Sequence, residues 1–358
     1  MLVSILTKRS IPITTRNALK STISKRKFSF SSSSWTSNGS SKSYSTASST
    51  AGAATTTASS INFDSVLSNF HNYDIAVAYQ PKDREESNLF KKRNNHNSSA
   101  ALESPTGEDN LFVSKESPKG FVAIGVADGV GGWSEAGYDS SAISRELCAS
   151  MKLNFEIDSN ESELSPKQLL DDAFNQVMES PKVKIGGTTA CLGILSPDKK
   201  LKVANLGDSW CGVFRDYKLI NETKFQTHNF NTPYQLAKIP RHIVKQAEME
   251  GRRYIIDTPA LADEYTWDLQ KDDIIMFATD GVTDNVIAQD VEIFLKDHIE
   301  GQNQKLDVVA KEFVNEVVKV SKDPTFPSAF AQELSKLTGQ KYLGGKEDDI
   351  TIVLIKVN

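Results

Sequence analysis

The sequence predicts an α+β fold built from antiparallel sheets covered by helices. Apolar stretches of strand length recur along the chain, at residues 75–79, 121–127, 189–195, 201–204, 211–215, 273–278 and 350–357. Apolar residues spaced three or four apart predict helices over residues 141–155, 166–178 and 306–320. Because strands and helices do not alternate one for one, a doubly wound parallel sheet is disfavoured.

The first half of the chain carries clear local signals. Residues 82–109 are polar and predict a loop after the first strand. Ser165 and Pro166 are a typical cap and first-turn pair for the helix that follows them. The clearest helical face lies within residues 306–320 and is formed by Leu306, Val309, Phe313, Val317 and Val320.

The strands in the second half predict antiparallel pairing. Residues 201–204 and 211–215 are separated by a short segment with a turn signal, which predicts a hairpin. In residues 350–357 apolar side chains occupy both alternating faces, and only one face carries a charge, at Lys356. We therefore expect this last segment to be a strand.

The composition excludes several classes of protein. The 358 residues contain 41 Lys and Arg against 46 Asp and Glu, a net charge of −5. Residues 1–63 hold eight basic and no acidic residues, so residues 64–358 carry −13. An acidic body argues against nucleic-acid binding, and no apolar run approaches the ~18 residues that a membrane helix needs. Three cysteines without a CxxC pair predict neither a disulfide framework nor a zinc knuckle.

Residues 1–63 predict a mitochondrial transit peptide followed by a disordered tail. Residues 1–60 contain 28 Ser and Thr, and their basic residues are spaced apart. Such a segment can form an amphipathic helix on an anionic membrane but buries too little apolar surface to fold alone. A secretory signal is disfavoured because Lys8, Arg9 and Pro12 interrupt the apolar start. We expect import into the mitochondrial matrix and one folded domain over residues 64–358.

Carboxylates flank the predicted strands at several places. They lie in residues 107–110, 126–133, 279–284 and 347–349, and Asp208 in the predicted hairpin turn is a further candidate. Mg²⁺ and Mn²⁺ prefer oxygen ligands and keep several waters, so a protein supplies only a few carboxylates and carbonyls. Two of these segments hold an Asp-Gly pair directly after an apolar strand, and glycine allows a close backbone approach. A single Asp-Gly pair is a common turn, but the joint pattern predicts a metal site.

Five short blocks, taken in order, resemble the signature of the metal-dependent protein phosphatase 2C (PPM) family. They are DGVGG at 128–132, GGTTA at 186–190, NLGDS at 205–209, TDG at 279–281 and DDIT at 348–351. The resemblance extends over residues 109–357, and segments 128–133 and 230–236 are most similar to the mitochondrial branch of the family. It implies a four-layer αββα sandwich, in which two antiparallel sheets are flanked by helices.

The resemblance also implies a role for each matching residue. Asp128 resembles the acid that bridges two metal ions, and Gly129 resembles the residue that offers its carbonyl to one of them. Asp280 and Asp348 resemble ligands of the other ion, and together with Asp128 they are the candidate catalytic residues. The remaining candidates are Glu108 and Asp109, acting through water, and Asp208 and Asp284, at a weaker third metal position.

The activity implied by the resemblance is hydrolysis of phosphoserine and phosphothreonine in mitochondrial proteins. Two Mg²⁺ or Mn²⁺ ions would activate a water that attacks phosphorus in line, so no cysteine nucleophile is needed. The expected partners are phosphorylated mitochondrial proteins. We expect a monomer with no nucleic-acid partner and no transmembrane segment.

Two positions depart from the family pattern and keep other functions open. Val130 stands where many members have a histidine proposed to protonate the leaving group, and Ser104 stands where many have a phosphate-binding arginine. These departures motivate two alternatives: a non-catalytic scaffold that binds phosphoproteins, and a metal-dependent phosphatase of small metabolites. Retention of Asp128, Asp280 and Asp348 argues against the scaffold.

Overall fold

The computed structural model describes residues 67–83, 104–157 and 164–358. The predicted transit peptide and tail at residues 1–63, and most of the predicted loop at 82–109, lie outside the described residues. Among the helices of the described segments, none combines the length and the apolar character that crossing a bilayer requires. The three cysteines are buried and free.

Two antiparallel sheets form the centre of the fold. One sheet has the strand order β1 (Leu67–Asn69), β2 (Tyr73–Gln80), β15 (Ile350–Val357), β14 (Ile274–Ala278), β8 (Trp210–Arg215) and β9 (Lys218–Glu222). The other has the order β13 (Asp263–Asp268), β7 (Lys200–Leu206), β6 (Ala190–Leu195), β4 (Val122–Asp128) and β3 (Asp109–Val113). Neighbouring strands are antiparallel throughout both sheets.

Short ribbons and helices complete the described part of the chain. The ribbons pair β10 (Thr227–Asn229) with β11 (Thr232–Pro233), and β12 (Leu236–Lys238) with β5 (Gly186–Thr188). The α-helices are α1 (Gly132–Glu135), α2 (Ser141–Ile157), α3 (Pro166–Glu179), α4 (Arg241–Met249), α5 (Asp280–Thr283), α6 (Ala288–Leu295), α7 (Leu306–Ser321) and α8 (Ala329–Thr338). A 3-10 turn covers Pro259–Leu261, and a π-helical segment, Lys296–Gly301, follows α6.

A hydrophobic core fills the space between the two sheets. Ile124 and Val203 come from one sheet, Ile275 and Val353 come from the other, and all are fully buried in one cluster. The burial of such side chains is the main favourable term in folding, at about 25 cal/mol per Å² of apolar surface. The two sheets therefore form the stable core of the fold, and they position the segments at the strand ends.

Helices cover the outer face of each sheet. On the five-stranded sheet, α2 and α3 contribute the buried residues Leu147 and Leu169 to a second cluster. On the six-stranded sheet, α6 and α7 contribute Phe294 and Phe313 to a third. The layers are therefore helix, sheet, sheet and helix, which confirms the predicted αββα sandwich.

The last strand shows why its sequence is apolar on both faces. In β15, Ile352 and Leu354 lie in the cluster under α7, whereas Val353 and Ile355 lie in the core between the sheets. Successive side chains of a strand point to opposite faces, and here both faces are covered. The predicted final strand is therefore confirmed, and the structure shows that it is buried on both faces.

The predicted hairpin between residues 201–204 and 211–215 is wrong. β7 pairs with β6 and β13 in one sheet, and β8 pairs with β14 and β9 in the other. The connecting turn crosses between the sheets instead of folding one strand back on the next. Its Gly207 has φ 107°, which favours glycine, and Asn205 Nδ2 donates hydrogen bonds to Gly207 O and Lys224 O.

Candidate metal centre

The candidate site lies where strands of both sheets begin and end. Asp128 is the last residue of β4 and pairs directly with Asp109, the first residue of β3. Asp280 opens α5 directly after Thr279, the residue that follows β14. Asp348 lies just before β15, which runs antiparallel beside β14. Carboxylates from four distant parts of the chain therefore meet at one end of the sandwich.

Hydrogen bonds join the two sheets at this end. Thr279 Oγ1 donates to Asp109 Oδ2 at 2.7 Å. Asp349 is 2% exposed, and its two carboxylate oxygens accept from the backbone N–H of Lys82 and of Glu108, both at 2.8 Å. No role was predicted for Thr279 or Asp349. Asp349 fixes the backbone at Lys82 and at Glu108, the residue beside Asp109.

The carboxyl groups of this cluster shift one another's pKa, in directions that depend on their neighbours. Burial opposes the charged form of Asp280, but the positive charge of Lys346 brings its pKa below the ordinary value. Burial, followed by the negative charges of neighbouring acids, raises the pKa of Asp128 well above its ordinary value; these neighbours are Asp280, Asp109, Asp348 and Asp208. Burial and the charge of Asp349 do the same to the pKa of Asp109. The charges of Asp280, Asp348 and Asp109 thus act on Asp128 from neighbouring positions.

Asp208 and Asp284 lie on the Asp280 side of the cluster. Burial, with the negative charges of Asp280 and Asp284, holds the pKa of Asp208 well above its usual range. Burial and the charge of Asp280 raise the pKa of Asp284 to about 7. The Oδ1 atom of Asp208 is buried and has no hydrogen-bond partner. These three acids form a contiguous group.

Two lysine side chains reach into the cluster, and neither was predicted from the sequence. Lys346 Nζ lies 2.8 Å from Asp280 Oδ2 and 3.8 Å from Asp348 Oδ2, and it also contacts Asp284. Lys82 Nζ lies 2.8 Å from Asp348 Oδ1 and 3.2 Å from Glu108 Oε2. Burial alone would lower the pKa of the Lys346 ammonium. The negative charges of Asp280, Asp284 and Asp348 outweigh this effect and raise the pKa above its ordinary value.

Glu108 is held in place by its neighbours. Ser140 Oγ, just before α2, donates to Glu108 Oε1 at 2.5 Å, and Ser144 Oγ donates to the Glu108 carbonyl at 2.6 Å. A Cβ atom at Gly129 would lie 2.6 Å from both the Glu108 and the Ser140 carbonyl oxygens. Only glycine fits at this position, because a side chain there would collide with the backbone.

The residues present are suited to hard divalent cations. The donors are carboxylate oxygens, which Mg²⁺ and Mn²⁺ prefer, and one of them, Asp208 Oδ1, is buried without a partner. The raised pKa values indicate surplus negative charge, which bound cations would neutralise. Within the described residues, no three Asp, Glu, His or Cys side chains already form a complete ligand set around one point. Instead, the ammonium groups of Lys82 and Lys346 lie between the carboxylates and form ion pairs with them.

Ser104 and Val130, the two residues that depart from the family pattern, both form hydrogen bonds with neighbouring residues. Ser104 is 8% exposed, and its hydroxyl hydrogen-bonds with Thr106 Oγ1 at 2.7 Å and accepts from Asn110 Nδ2 at 3.1 Å. It is an uncharged residue that lies five positions before β3 begins at Asp109. Val130 donates its backbone N–H to Gly187 O at 2.8 Å, and its side chain has no proton to give.

Comparisons with known proteins identify similar chains. A family model described as Stage II sporulation protein E (SpoIIE) matches residues 118–358. Protein phosphatase 2C homolog 7, mitochondrial, from Saccharomyces cerevisiae is 52% identical over 290 residues, covering 80% of this chain and 82% of that protein. Protein phosphatase PTC7 homolog fig from Drosophila mojavensis is 36% identical over 259 residues, covering 70% of this chain and 78% of that protein.

A solved structure shares the fold. The X-ray structure of the photosystem II phosphatase PBCP is 25% identical in sequence and superimposes with a TM-score of 0.61. The match covers 80% of this chain and 99% of that chain. The similarity therefore extends over almost the whole of the solved chain.

Proposed function

The chain belongs to the metal-dependent protein phosphatase 2C family, and we propose that it hydrolyses phosphoserine and phosphothreonine with two divalent cations held at the end of the sandwich. Family membership makes it a protein phosphatase, a phosphoric monoester hydrolase. The observation that carries the proposed site is the meeting of Asp128 and Asp109 from one sheet with Asp280 and Asp348 from the other.

The proposed ligands divide according to the elements that carry them. Asp128, at the end of β4, would bridge both ions, and Gly129 would offer its carbonyl to one of them. Asp280 and Asp348 would hold the other ion. Asp109 and Glu108 would act through water, and Thr279 and Ser140 fix their orientation by the hydrogen bonds described above.

The chemistry follows from this arrangement. Bound Mg²⁺ or Mn²⁺ would supply Lewis acidity, both for a water nucleophile and for the phosphoryl oxygens. The protein's own part is to fix the acids on two rigid sheets, so that little reorganisation is needed during the reaction. Since Val130 cannot donate a proton, we propose that solvent protonates the leaving alkoxide.

The proposed setting is the mitochondrial matrix, with phosphorylated matrix proteins as substrates and the enzyme acting as a monomer. The similarity to a mitochondrial relative and the basic, acid-free residues 1–63 support this location. We propose that residues 1–63 are the transit peptide and tail and that residues 64–358 are the phosphatase domain. Fractionating mitochondria that express the full chain, with protease protection, tests the location.

The test of the activity separates the proposal from its alternatives. Turnover of phosphopeptides and of small phosphorylated metabolites is measured with Mn²⁺, for the native chain and for Asp128→Asn. We expect phosphopeptide hydrolysis that is lost in the variant. Turnover of metabolites alone would support the metabolite phosphatase, and phosphopeptide binding without turnover by the native chain would support the scaffold. Asp273→Asn, at a buried acid next to β14 in the other sheet, is the control.

A further inference from the structure

One cation is already built into the carboxylate cluster. Lys346 Nζ lies 2.8 Å from Asp280 Oδ2, contacts Asp284 more closely still, and is 3.8 Å from Asp348. The ammonium group is therefore centred on Asp280 and Asp284.

The backbone of Lys346 is fixed in place. Asn285, which is 1% exposed, accepts from the Lys346 N–H at 2.9 Å through Oδ1 and donates to its carbonyl at 2.8 Å through Nδ2. The same Nδ2 donates to Gly281 O at 2.8 Å, which ties Lys346 to the helix that begins with Asp280. A Cβ at the preceding Gly345 would lie 2.2 Å from Val320 O, so the segment packs tightly against the end of α7.

The side chain of Lys346 is also supported along its path. Its Nζ lies 5.3 Å from the centroid of the Phe330 ring, within cation–π range. It also donates to Asn231 Oδ1 at 3.3 Å. Asn231 is in the turn between β10 and β11, at φ 52°, and the adjacent Phe230 packs against Phe330 with ring centroids 5.0 Å apart. Contacts from three parts of the chain thus direct the ammonium toward Asp280 and Asp284.

We propose that the ammonium of Lys346 is the resident cation of the Asp208, Asp280 and Asp284 group, so that this chain binds two metal ions and excludes a third. This inference rests on the proposed function, since it assumes that the neighbouring carboxylates hold the two ions. In this inference the Lys346 ammonium occupies the weaker third metal position that the family resemblance implies at Asp208 and Asp284.

Electrostatics give the physical reason for exclusion. A hydrated dication entering between Asp280 and Asp284 would have to displace an ammonium that already forms charge-assisted hydrogen bonds there. The displaced ammonium would then lose both its partners and its fixed position, while the ion would have to shed part of its hydration shell. The described ion pairs of Lys346 are with Asp280, Asp284 and Asp348 and not with Asp109 or Asp128. The ion at Asp128 and Gly129 therefore faces no such competitor, whereas the ion held by Asp280 and Asp348 would bind beside the ammonium and share those two carboxylates with it.

The experiment counts bound ions without using activity. The full chain is stripped of metal and titrated with Mn²⁺, with heat release and the loss of free Mn²⁺ signal in electron paramagnetic resonance as independent readouts. We expect two ions in the native chain and in Lys346→Arg, which keeps the positive charge. We expect a third, weaker ion in Lys346→Met, and its loss again when Asp284→Asn is added.

The outcomes distinguish this inference from the proposed function. Three ions in the native chain would overturn it, and so would two ions in Lys346→Met with a native far-ultraviolet circular dichroism spectrum. If Lys346→Met does not fold, the native chain and Lys346→Arg decide the matter, since three ions in either contradicts the proposal. Binding of no Mn²⁺ by the native chain would contradict the metal centre itself, and with it both proposals.

Discussion

The two ends of strand β14 carry acids in opposite electrostatic situations. Before the strand, Asp273 is 1% exposed and accepts from Arg215 Nε at 2.9 Å and Nη2 at 2.7 Å, and from the Gln270 N–H at 2.7 Å. After the strand, Asp280 shares the ammonium of Lys346 with Asp284. One end pairs a single carboxylate with a single bidentate cation, whereas the other leaves several carboxylates to share two lysines.

This difference separates a structural acid from a functional one. A bidentate Arg–carboxylate pair satisfies both partners and leaves no local charge to be neutralised. Near the other end, burial and the like charges of neighbouring acids raise the pKa of Asp128 and of Asp208, whereas the charge of Lys346 lowers the pKa of Asp280. Such a surplus costs stability in the metal-free protein, and bound cations would remove that cost.

The largest expected effect is loss of activity when Asp128, the acid proposed to bridge the two metal ions, is replaced. We expect Asp128→Asn to lower kcat/KM for a phosphopeptide by at least about 10³-fold, because a metal-bridging carboxylate stabilises charge in the transition state. Steady-state kinetics at saturating Mn²⁺ measure this. Activity within a few-fold of the native value would remove Asp128 from the centre.

The next largest effect is stabilisation of the folded protein by bound metal, which should depend on the proposed metal ligands and not on Asp273. At a free Mn²⁺ concentration about 100 times the Kd, binding to the folded state alone adds about 2.7 kcal/mol to the free energy of unfolding. Urea unfolding with and without Mn²⁺ measures this gain. We expect Asp273→Asn to keep the gain and Asp128→Asn to lose most of it; an equal gain in both would contradict the assignment.

At the start of β14, where Asp273 pairs with Arg215, a substitution is expected to affect stability alone. Asp273→Asn removes a buried charged partner of Arg215 and should lower the free energy of unfolding by about 2 kcal/mol, the scale of a hydrogen bond to a charged group. Urea denaturation checks the value. Since Asp273 lies away from the cluster, kcat at saturating Mn²⁺ should stay at the native level, and a large loss of kcat would show that the two ends are not independent.

The smallest expected effect concerns a residue that orients a ligand. Ser140→Ala removes the hydrogen bond to Glu108 Oε1 and should weaken Mn²⁺ binding by about 10-fold, as is typical when an outer partner of a metal ligand is lost. Calorimetric titration with Mn²⁺ gives the affinity. Ser134→Ala, which removes a hydroxyl that donates to Gly131 O, is the matched control and should bind Mn²⁺ with an affinity closer to the native value.

Much of the frame could be predicted from apolar patterns, and the errors have physical causes. β14 and β15 were predicted because both are buried runs, whereas β9 and β13 were missed because exposed and half-buried residues alternate along them. The hairpin prediction failed at Gly207, because a turn signal is the same whether the chain folds back within one sheet or crosses to another.

The site was predictable only in part, for a related reason. Asp128 and Asp280 each precede a glycine at the end of an apolar strand, a pattern that can be read locally. Lys82 and Lys346 carry no such pattern, since a long cationic side chain at the surface and one directed into a cluster look the same in sequence. Their positions depend on contacts such as that of Lys346 with Asn285, which only the folded chain brings together.

The most direct measurement is a crystal structure of the Mn²⁺-loaded chain with anomalous difference maps recorded at the manganese edge. We predict two peaks that share Asp128 as a ligand, one of them also bound by Asp280 and Asp348. Peaks remote from these three carboxylates, or none in crystals of an active preparation, would contradict the proposal that the surplus acids after β14 form the catalytic centre.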